Sequence, residues 1–165
     1  MTAPNANISV GDLQQKIMSL AMATGEFLSI AGHEPESPPE TGLTGGLWLQ
    51  NISAAKSVSG LDATAARVEF LLRIYIPTAG TSPDQLDSID PSIGTATAVV
   101  IGALSADFEL DGEAFAADLL GGWGSPLAGK AGWARVGEQL VRVMDITVPL
   151  VLDAVWKQSA TSAGS

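Results

Sequence analysis

The chain has one histidine, and it lies in the sequence His33-Glu34-Pro35-Glu36, where an imidazole and two carboxylates could bind a divalent cation. Pro35 breaks the helical spacing that would bring such ligands together, and no second histidine is present. A Ser-His-Asp triad would need this same histidine, and no serine lies in a GxSxG motif. We therefore expect a solvated loop here, with no metal site and no catalytic residue.

A second group of acids could also do chemistry. Asp84, Asp87 and Asp90 recur at every third position, a spacing that could pair carboxylates for acid–base catalysis or for Ca²⁺. The spacing departs from the EF-hand loop and lacks its terminal glutamate. Acids just ahead of a helix interact favourably with its dipole, so we expect these three residues to cap a helix.

Three further sequence patterns resemble parts of binding sites, but none of them forms a complete motif. Asp107, Glu109 and Asp111 alternate, which predicts a short strand with one negative face, either solvated or acting as an acidic wall that repels nucleic acid. The stretch 121–132 spells neither GxGxxG nor GxxxxGK[ST], so we expect a flexible loop and no bound nucleotide. Its glycines are Gly121, Gly122, Gly124, Gly129 and Gly132. No group of basic residues flanks the tryptophans, so we expect them to anchor a core or an interface and not to stack on bases. They are Trp48, Trp123, Trp133 and Trp156.

The amino-acid composition excludes several classes of function. The 165 residues contain no cysteine, which excludes disulfide scaffolds, zinc fingers and thiol catalysis. A net charge of −10 with scattered cations argues against binding to nucleic acid or to anionic membranes. Charged residues make up only 16% of the chain, which indicates surface buried against other subunits. With no signal peptide and no apolar run of ~20 residues, we expect a soluble protein made in the cytoplasm.

The hydrophobic pattern predicts two helices. Ser9 precedes apolar residues at i, i+3 and i+7, which predicts a helix over 10–24 that ends at Gly25. Asp90 as an N-cap, followed by Pro91, predicts a helix over 91–104. The proline- and glycine-rich segment 33–46 predicts a surface loop that packs against nothing.

Strands are predicted at 47–52 and 67–76, with a loop over 53–66 between them and Pro77 ending the second. Residues 108–110 precede the hairpin signal Asp111-Gly112, and 114–120 is either the return strand or a helix. Residues 140–156 are apolar on both faces, which predicts a long strand, either central in its sheet or sandwiched between layers, that bends near Pro149 and projects past the domain. We predict a single α+β domain over 9–156, with a mixed or antiparallel sheet, two helices and flexible ends at 1–8 and 157–165.

This order of parts resembles the tail terminator proteins of long, non-contractile-tailed (siphovirus-type) bacteriophages. The resemblance is carried by the N-terminal helix, WLQNISAAKSVSGLDATAARVEFLLRIYIP, IGTATAVVIGAL with SADFELDG, and GWARVGEQLVRVMDITVPLVLDAVW, together about three quarters of the chain. It implies a non-enzymatic virion protein without cofactor, assembled in the host cytoplasm into a ring of six subunits. Such a ring stops tail-tube growth, joins the tube to the head-to-tail connector protein and lets DNA pass without specific binding.

A ring needs two complementary patches on each subunit. We expect them on the mixed face of strand 67–76 and on the closing strand, unless these residues pack under the two helices. The proposed contact residues are Leu71, Arg73, Tyr75, Val143, Thr147 and Val151. Asp107, Glu109 and Asp111 are expected to face the lumen. Two alternatives remain: another neck or tail component (connector, head-completion or tube protein), or a small enzyme or ligand-binding domain that uses Asp84 to Asp90.

Overall fold

Helices cover one face of a mixed β-sheet in the computed structural model, which describes residues 8–37, 42–56, 63–78, 82–112, 114 and 116–157. The described helices are α1 (Val10–Ala23), α2 (Pro83–Leu86) and α3 (Ile89–Ala106). The described strands are β1 (Ser29–Ala31), β2 (Thr44–Lys56), β3 (Ala63–Pro77), β4 (Ala116–Ala117), β5 (Ala128–Val136) and β6 (Gln139–Lys157). The chain is therefore α+β, as its sequence predicts. The expected flexible ends lie outside the described residues, apart from Ile8 and Lys157.

The order of the sheet is β1-β2-β3-β6, with β4 and β5 both pairing with the far edge of β6. β1 runs parallel to β2, and every other pair is antiparallel. The long strands β3 and β6 thus lie in the middle of the sheet, where they are paired on both sides. The prediction of a long central strand over 140–156 is confirmed.

The strands extend well beyond their predicted ends. β2 and β3 continue into the segment 53–66 that the sequence predicts as a loop, and Ala54 pairs with Ala66 while Ala55 pairs with Ala65. Alanine has little intrinsic preference for a strand, so the ladder itself holds these residues in register. The prediction of a loop over 33–46 is likewise wrong at its end, because β2 begins at Thr44.

The second predicted helix is present with different ends. α3 begins at Ile89, and its N-cap is Ser88, so the prediction that Asp90 caps the helix is wrong. The Asp90 carboxylate instead accepts hydrogen bonds from Arg142 on β6. The unpredicted short helix α2 begins with a capping box between Ser82 and Gln85.

The predicted hairpin at Asp111-Gly112 does not form. Residues 107–112 make turns in which Leu110 and Asp111 have positive φ angles of 48° and 57°. Leu110 is buried in the core, and the Asp107 carboxylate accepts a hydrogen bond from the backbone N–H of Asp111. Burial of Leu110 and this side-chain bond favour a helix-ending turn over a strand. In the return segment, Ala116–Ala117 forms a two-residue strand.

β5 occupies much of the stretch that the sequence predicts as a glycine-rich loop. Gly129 and Gly132 lie within it, so that prediction is wrong beyond residue 127. Gly137 has a φ of 60° in the turn that joins β5 to β6, a conformation that suits glycine. β6 pairs in register with β3 on both sides of Pro149, and the irregularity lies between Leu152 and Trp156 instead.

α1 and α3 pack on the sheet through one apolar side each, as amphipathic helices do. The core between them includes Leu13, Ile17, Phe70, Val100 and Ile146. The segment Pro83–Ala106 is long and apolar enough to cross a membrane by composition. Its apolar residues at 89, 93, 96, 100 and 104 are buried in this core.

Candidate interaction surfaces

The sheet face that points away from the helices, here called the bare face, carries all six residues predicted to contact other subunits. On it Leu71 lies opposite Thr147, and Tyr75 lies opposite Val143. The residues of β3 on the opposite face, which include Phe70 and Leu72, are the ones that pack under the helices. The alternative that the six residues pack under the helices is therefore wrong.

Burial separates the six residues into two groups. Leu71, Tyr75, Val143 and Val151 are buried within the chain itself, whereas Arg73 and Thr147 are partly exposed. Tyr75 and Val143 form a small second cluster with Val136 and Val141. That these residues form a contact between subunits stays a prediction. Only Arg73 and Thr147 have accessible side chains with which to form it.

Arg73 is the centre of a polar network on the bare face. Its Nε lies 2.5 Å from Asp145 Oδ1 and its Nη2 lies 2.9 Å from Oδ2, a bidentate pair. Nη1 lies 3.4 Å from the Glu34 carboxylate, and the guanidinium carbon lies 5.6 Å from the ring centre of Trp48. The hydrogen bond to Asp145 raises the pKa of Arg73 above its usual value, so the side chain stays cationic.

The segment around His33 contacts this network, which corrects the expectation that it packs against nothing. An ideal Cβ on Gly46 would lie 2.8 Å from the His33 carbonyl oxygen and 2.8 Å from Pro35 Cδ. Glycine at position 46 therefore lets the segment lie directly against β2. His33 and Glu36 are exposed, and within the described part of the chain no three His, Asp or Glu side chains could hold a metal ion.

Arg67 forms a buried ion cluster that the sequence did not predict. Its guanidinium pairs with Glu69 and donates to the Ser125 carbonyl oxygen, and its Nε lies 3.6 Å from Asp118 Oδ2. Asp118 in turn accepts hydrogen bonds from the backbone N–H groups of Gly122 and Trp123, at 2.7 and 3.0 Å. The loop over 118–127 is thereby fastened to the bare face. The alternation of β3 placed Arg67 on this face, but no local signal identifies Asp118 as its partner.

Tyr75 is 1% exposed, and its hydroxyl has no hydrogen-bond partner in the part of the chain that the structure describes. Burial raises the pKa of Tyr75 to about 12, although the nearby cation of Arg73 acts in the opposite direction. The phenol therefore stays neutral through the physiological pH range.

Both ends of the sheet present open strand edges. β1 covers β2 only over Thr44–Gly46, and the Gln14 amide donates to the Leu47 carbonyl oxygen at 2.8 Å. Among the described residues no strand pairs with the rest of that edge, where Leu49 and Ile52 are 39% and 40% exposed. At the other end, the outer edge of β5 likewise has no described strand partner.

β5 and β6 form a hairpin with an exposed aromatic residue. Trp133 is 55% exposed, and the Arg142 guanidinium carbon lies 5.2 Å from its ring centre. Arg142 Nε also lies 2.8 Å from Asp90 Oδ1, and these hydrogen bonds lower the pKa of Asp90. β5 further carries Lys130 and Arg135, both exposed, and no acid.

The acids predicted to face a lumen lie at the end of α3. Asp107, Glu109 and Asp111 belong to turns, so the prediction that they line a strand is wrong. Asp107 and Asp111 border a groove of about 620 Å³ between α1 and α3, where Lys16 Nζ lies 3.1 Å from Asp111 Oδ2. Whether they face a lumen depends on assembly and stays a prediction.

The remaining candidate groups lie apart from one another. Asp84 is in the first turn of α2, while Asp87 is the C-cap of α2 and directly precedes Ser88, the N-cap of α3. Of the tryptophans, Trp48 contacts Arg73, Trp133 contacts Arg142 and Trp156 packs against the core.

Solved structures similar to the chain include one that can be set beside this arrangement. No protein-family model matches the chain, and no curated protein matches it. The chain is similar to the sheath/tube terminator of the PVC extracellular contractile injection system, solved by cryo-EM in its extended state. The TM-score is 0.42 and the identity is 12%, with 96% of this chain and 62% of that chain covered. The chain thus spans less than two thirds of that terminator, and a likeness of this size assigns no function.

Proposed function

We propose that this chain is a structural virion subunit that forms a ring, caps a phage tail tube and stops its polymerisation. The sequence resemblance to siphovirus-type tail terminators suggests the role, with six copies per ring. It also suggests the partners: the tail tube protein on one side of the ring and the head-to-tail connector protein on the other. The role needs no cofactor and no catalytic residue.

The observation that carries the proposal is that, within the described part of the chain, the sheet ends in two open edges of different character. The β2 edge exposes Leu49 and Ile52 and has no charged residue between Leu47 and Ala55. The β5 edge carries Lys130, Trp133 and Arg135. Natural sheets usually block open edges with charges or cover them, so an open, uncharged edge favours association.

Because the two edges differ, an association through them is head-to-tail. Head-to-tail contacts produce a closed ring when the rotation between subunits closes, and an open filament when it does not. A ring also has two unlike faces, so one face can match the end of a growing tube while the other presents a surface to which no further tube subunit binds.

The proposal is tested on the purified chain by light scattering and negative-stain imaging. We expect closed rings, with six copies of the 16.9 kDa chain. Open tubes growing from the pure protein would reject the terminator role and favour the tube subunit. A metal or small ligand retained in stoichiometric amount would instead favour the ligand-binding alternative.

A second experiment tests the role in assembly. Disabling the protein in its phage should leave tube growth intact but uncapped, which gives overlong tails without heads. Headless tails of normal length would favour a connector or head-completion component. Normal tails with attached heads would remove the terminator assignment.

A further inference from the structure

We propose that β5 of one subunit pairs antiparallel with the open β2 edge of the next, with Trp133 packing on Leu49 and Ile52 of its neighbour. This contact rests on the proposed ring and names the surfaces that meet in it. The occupant of the β2 edge is therefore a second copy of this chain.

The strand directions settle the orientation of the pair. β2 is antiparallel to β3, β3 to β6 and β6 to β5, so β5 runs opposite to β2 within one subunit. A rotation about an axis along the strands leaves their directions unchanged. The β5 strand of one copy then meets the β2 strand of the next in the antiparallel sense, which allows a regular ladder.

The exposed apolar side chains lie on matching faces. Leu49 pairs with Phe70 and Ile52 with Val68, whose side chains point to the helices. Trp133 is paired with Arg142, whose side chain reaches Asp90 of α3 on that same face. A continuous sheet thus brings the indole beside Leu49 and Ile52, and such cross-strand pairs of aromatic and aliphatic residues stabilise sheets.

Charge also favours pairing of β5 with β2 over pairing of one β5 edge with another β5 edge. β5 carries two cations in a chain of net charge −10. An exposed acid lies close to the β2 edge, since Glu34 bonds to Arg73, whose guanidinium lies over the Trp48 ring of β2. Two β5 edges would bring four cations together, whereas β5 against β2 brings cations towards the carboxylate of Glu34.

The absence of native cysteine allows a direct test by cross-linking. Ser53→Cys chains on β2 are mixed with Lys130→Cys chains on β5, and the mixture is oxidised. Both residues point to the bare face, since Ser53 pairs with Arg67 and Lys130 with Asp145. We expect a two-chain adduct that replacing Lys130→Cys by the control Ser92→Cys on α3 abolishes. An adduct of equal yield with the control, or none, overturns the contact.

A second measurement uses the indole. Trp133→Ala should raise the Kd of self-association at least tenfold, because the exposed ring contributes to the contact more than to its own fold. Leu120→Ala is the matched control, since Leu120 is exposed and lies outside both β2 and β5. Equal self-association of Trp133→Ala and the native chain overturns the proposal.

The outcomes separate this contact from the proposed function. Closed rings without the adduct leave the capping role standing and reject the contact. An adduct formed within open filaments supports the contact and rejects the terminator role. A chain that stays monomeric at about 1 mM also rejects the contact.

Discussion

At the scale of single residues, Tyr75 is the only tyrosine in the chain and is fully buried, and its hydroxyl has no hydrogen-bond partner among the residues that the structure describes. A buried polar group without a partner lowers stability relative to an apolar group of the same shape. Its titration can be followed without interference from other tyrosines. One side chain therefore reports both the packing of the bare face and its response to alkali.

The raised pKa of Tyr75 predicts a loss of stability at high pH. The folded-state value of about 12 lies above the ~10 of an unfolded tyrosine, so the stabilisation is present below pH ~10 and disappears as the pH rises towards about 12. In this window the free energy of unfolding of the native chain should fall more steeply with pH than that of Tyr75→Phe. The extra slope should be up to ~1.4 kcal/mol per pH unit. At neutral pH, Tyr75→Phe should be at least as stable as the native chain.

Urea unfolding of both chains between about pH 8 and about pH 12, with tyrosinate absorbance of the native chain, measures these effects. The phenylalanine variant controls for lysine and arginine titration, which both chains share. Parallel pH profiles in the two chains would contradict the assignment.

At the scale of elements, the loop 118–127 depends on a glycine that lies against Arg67. An ideal Cβ at Gly124 would lie 2.7 Å from Arg67 Cζ and 2.9 Å from Nε, whereas at Gly122 the nearest atom is Asp118 Oδ1 at 3.7 Å. Gly124→Ala should therefore lower the free energy of unfolding by about 1–3 kcal/mol, since a buried guanidinium has no room to move. Gly122→Ala should change it by less than about 0.5 kcal/mol. Urea denaturation compares the two, and an equal effect would show that Arg67 does not hold the loop.

Elements with strong local periodicity could be predicted from the sequence. α1 has an N-cap at Ser9 and a stop at Gly25, and β3 alternates from Arg67 to Ile76, so each signal lies within the element itself. β5 could not be predicted in this way. Its sequence, AGKAGWARV, is poor in β-branched residues, and only pairing with β6 makes it a strand.

The candidate surfaces were predicted less completely than the fold. The two-residue period placed Leu71, Arg73 and Tyr75 on one face, which the structure confirms. Their burial and the pairing of Arg67 with Asp118 depend on which strands become neighbours, and β3 and that loop are distant in sequence. The open edges are properties of the sheet order, which no local pattern encodes.

At the scale of the whole molecule, the charge predicts how the chain behaves towards DNA. The stretch from Ile74 to Gly129 contains no lysine or arginine, and the net charge is −10. We expect no measurable binding to duplex DNA even at about 50 mM salt, because binding to phosphates needs clustered cations. Fluorescence anisotropy with labelled duplex measures it. Binding that weakens as salt is added would contradict the expectation that DNA passes such a ring without adhering.

The pairing of β3 with β6 also determines how the chain reaches its fold. Arg73 and Asp145 are 72 positions apart, so the central ladder can form only after a long loop closes. Consecutive β2 and β3 can pair early, but the apolar sides of β3 then remain exposed to other chains until β6 arrives. Folding is therefore expected on the order of milliseconds to seconds, the range of sheets rich in non-local pairs, and aggregation competes with it during that interval.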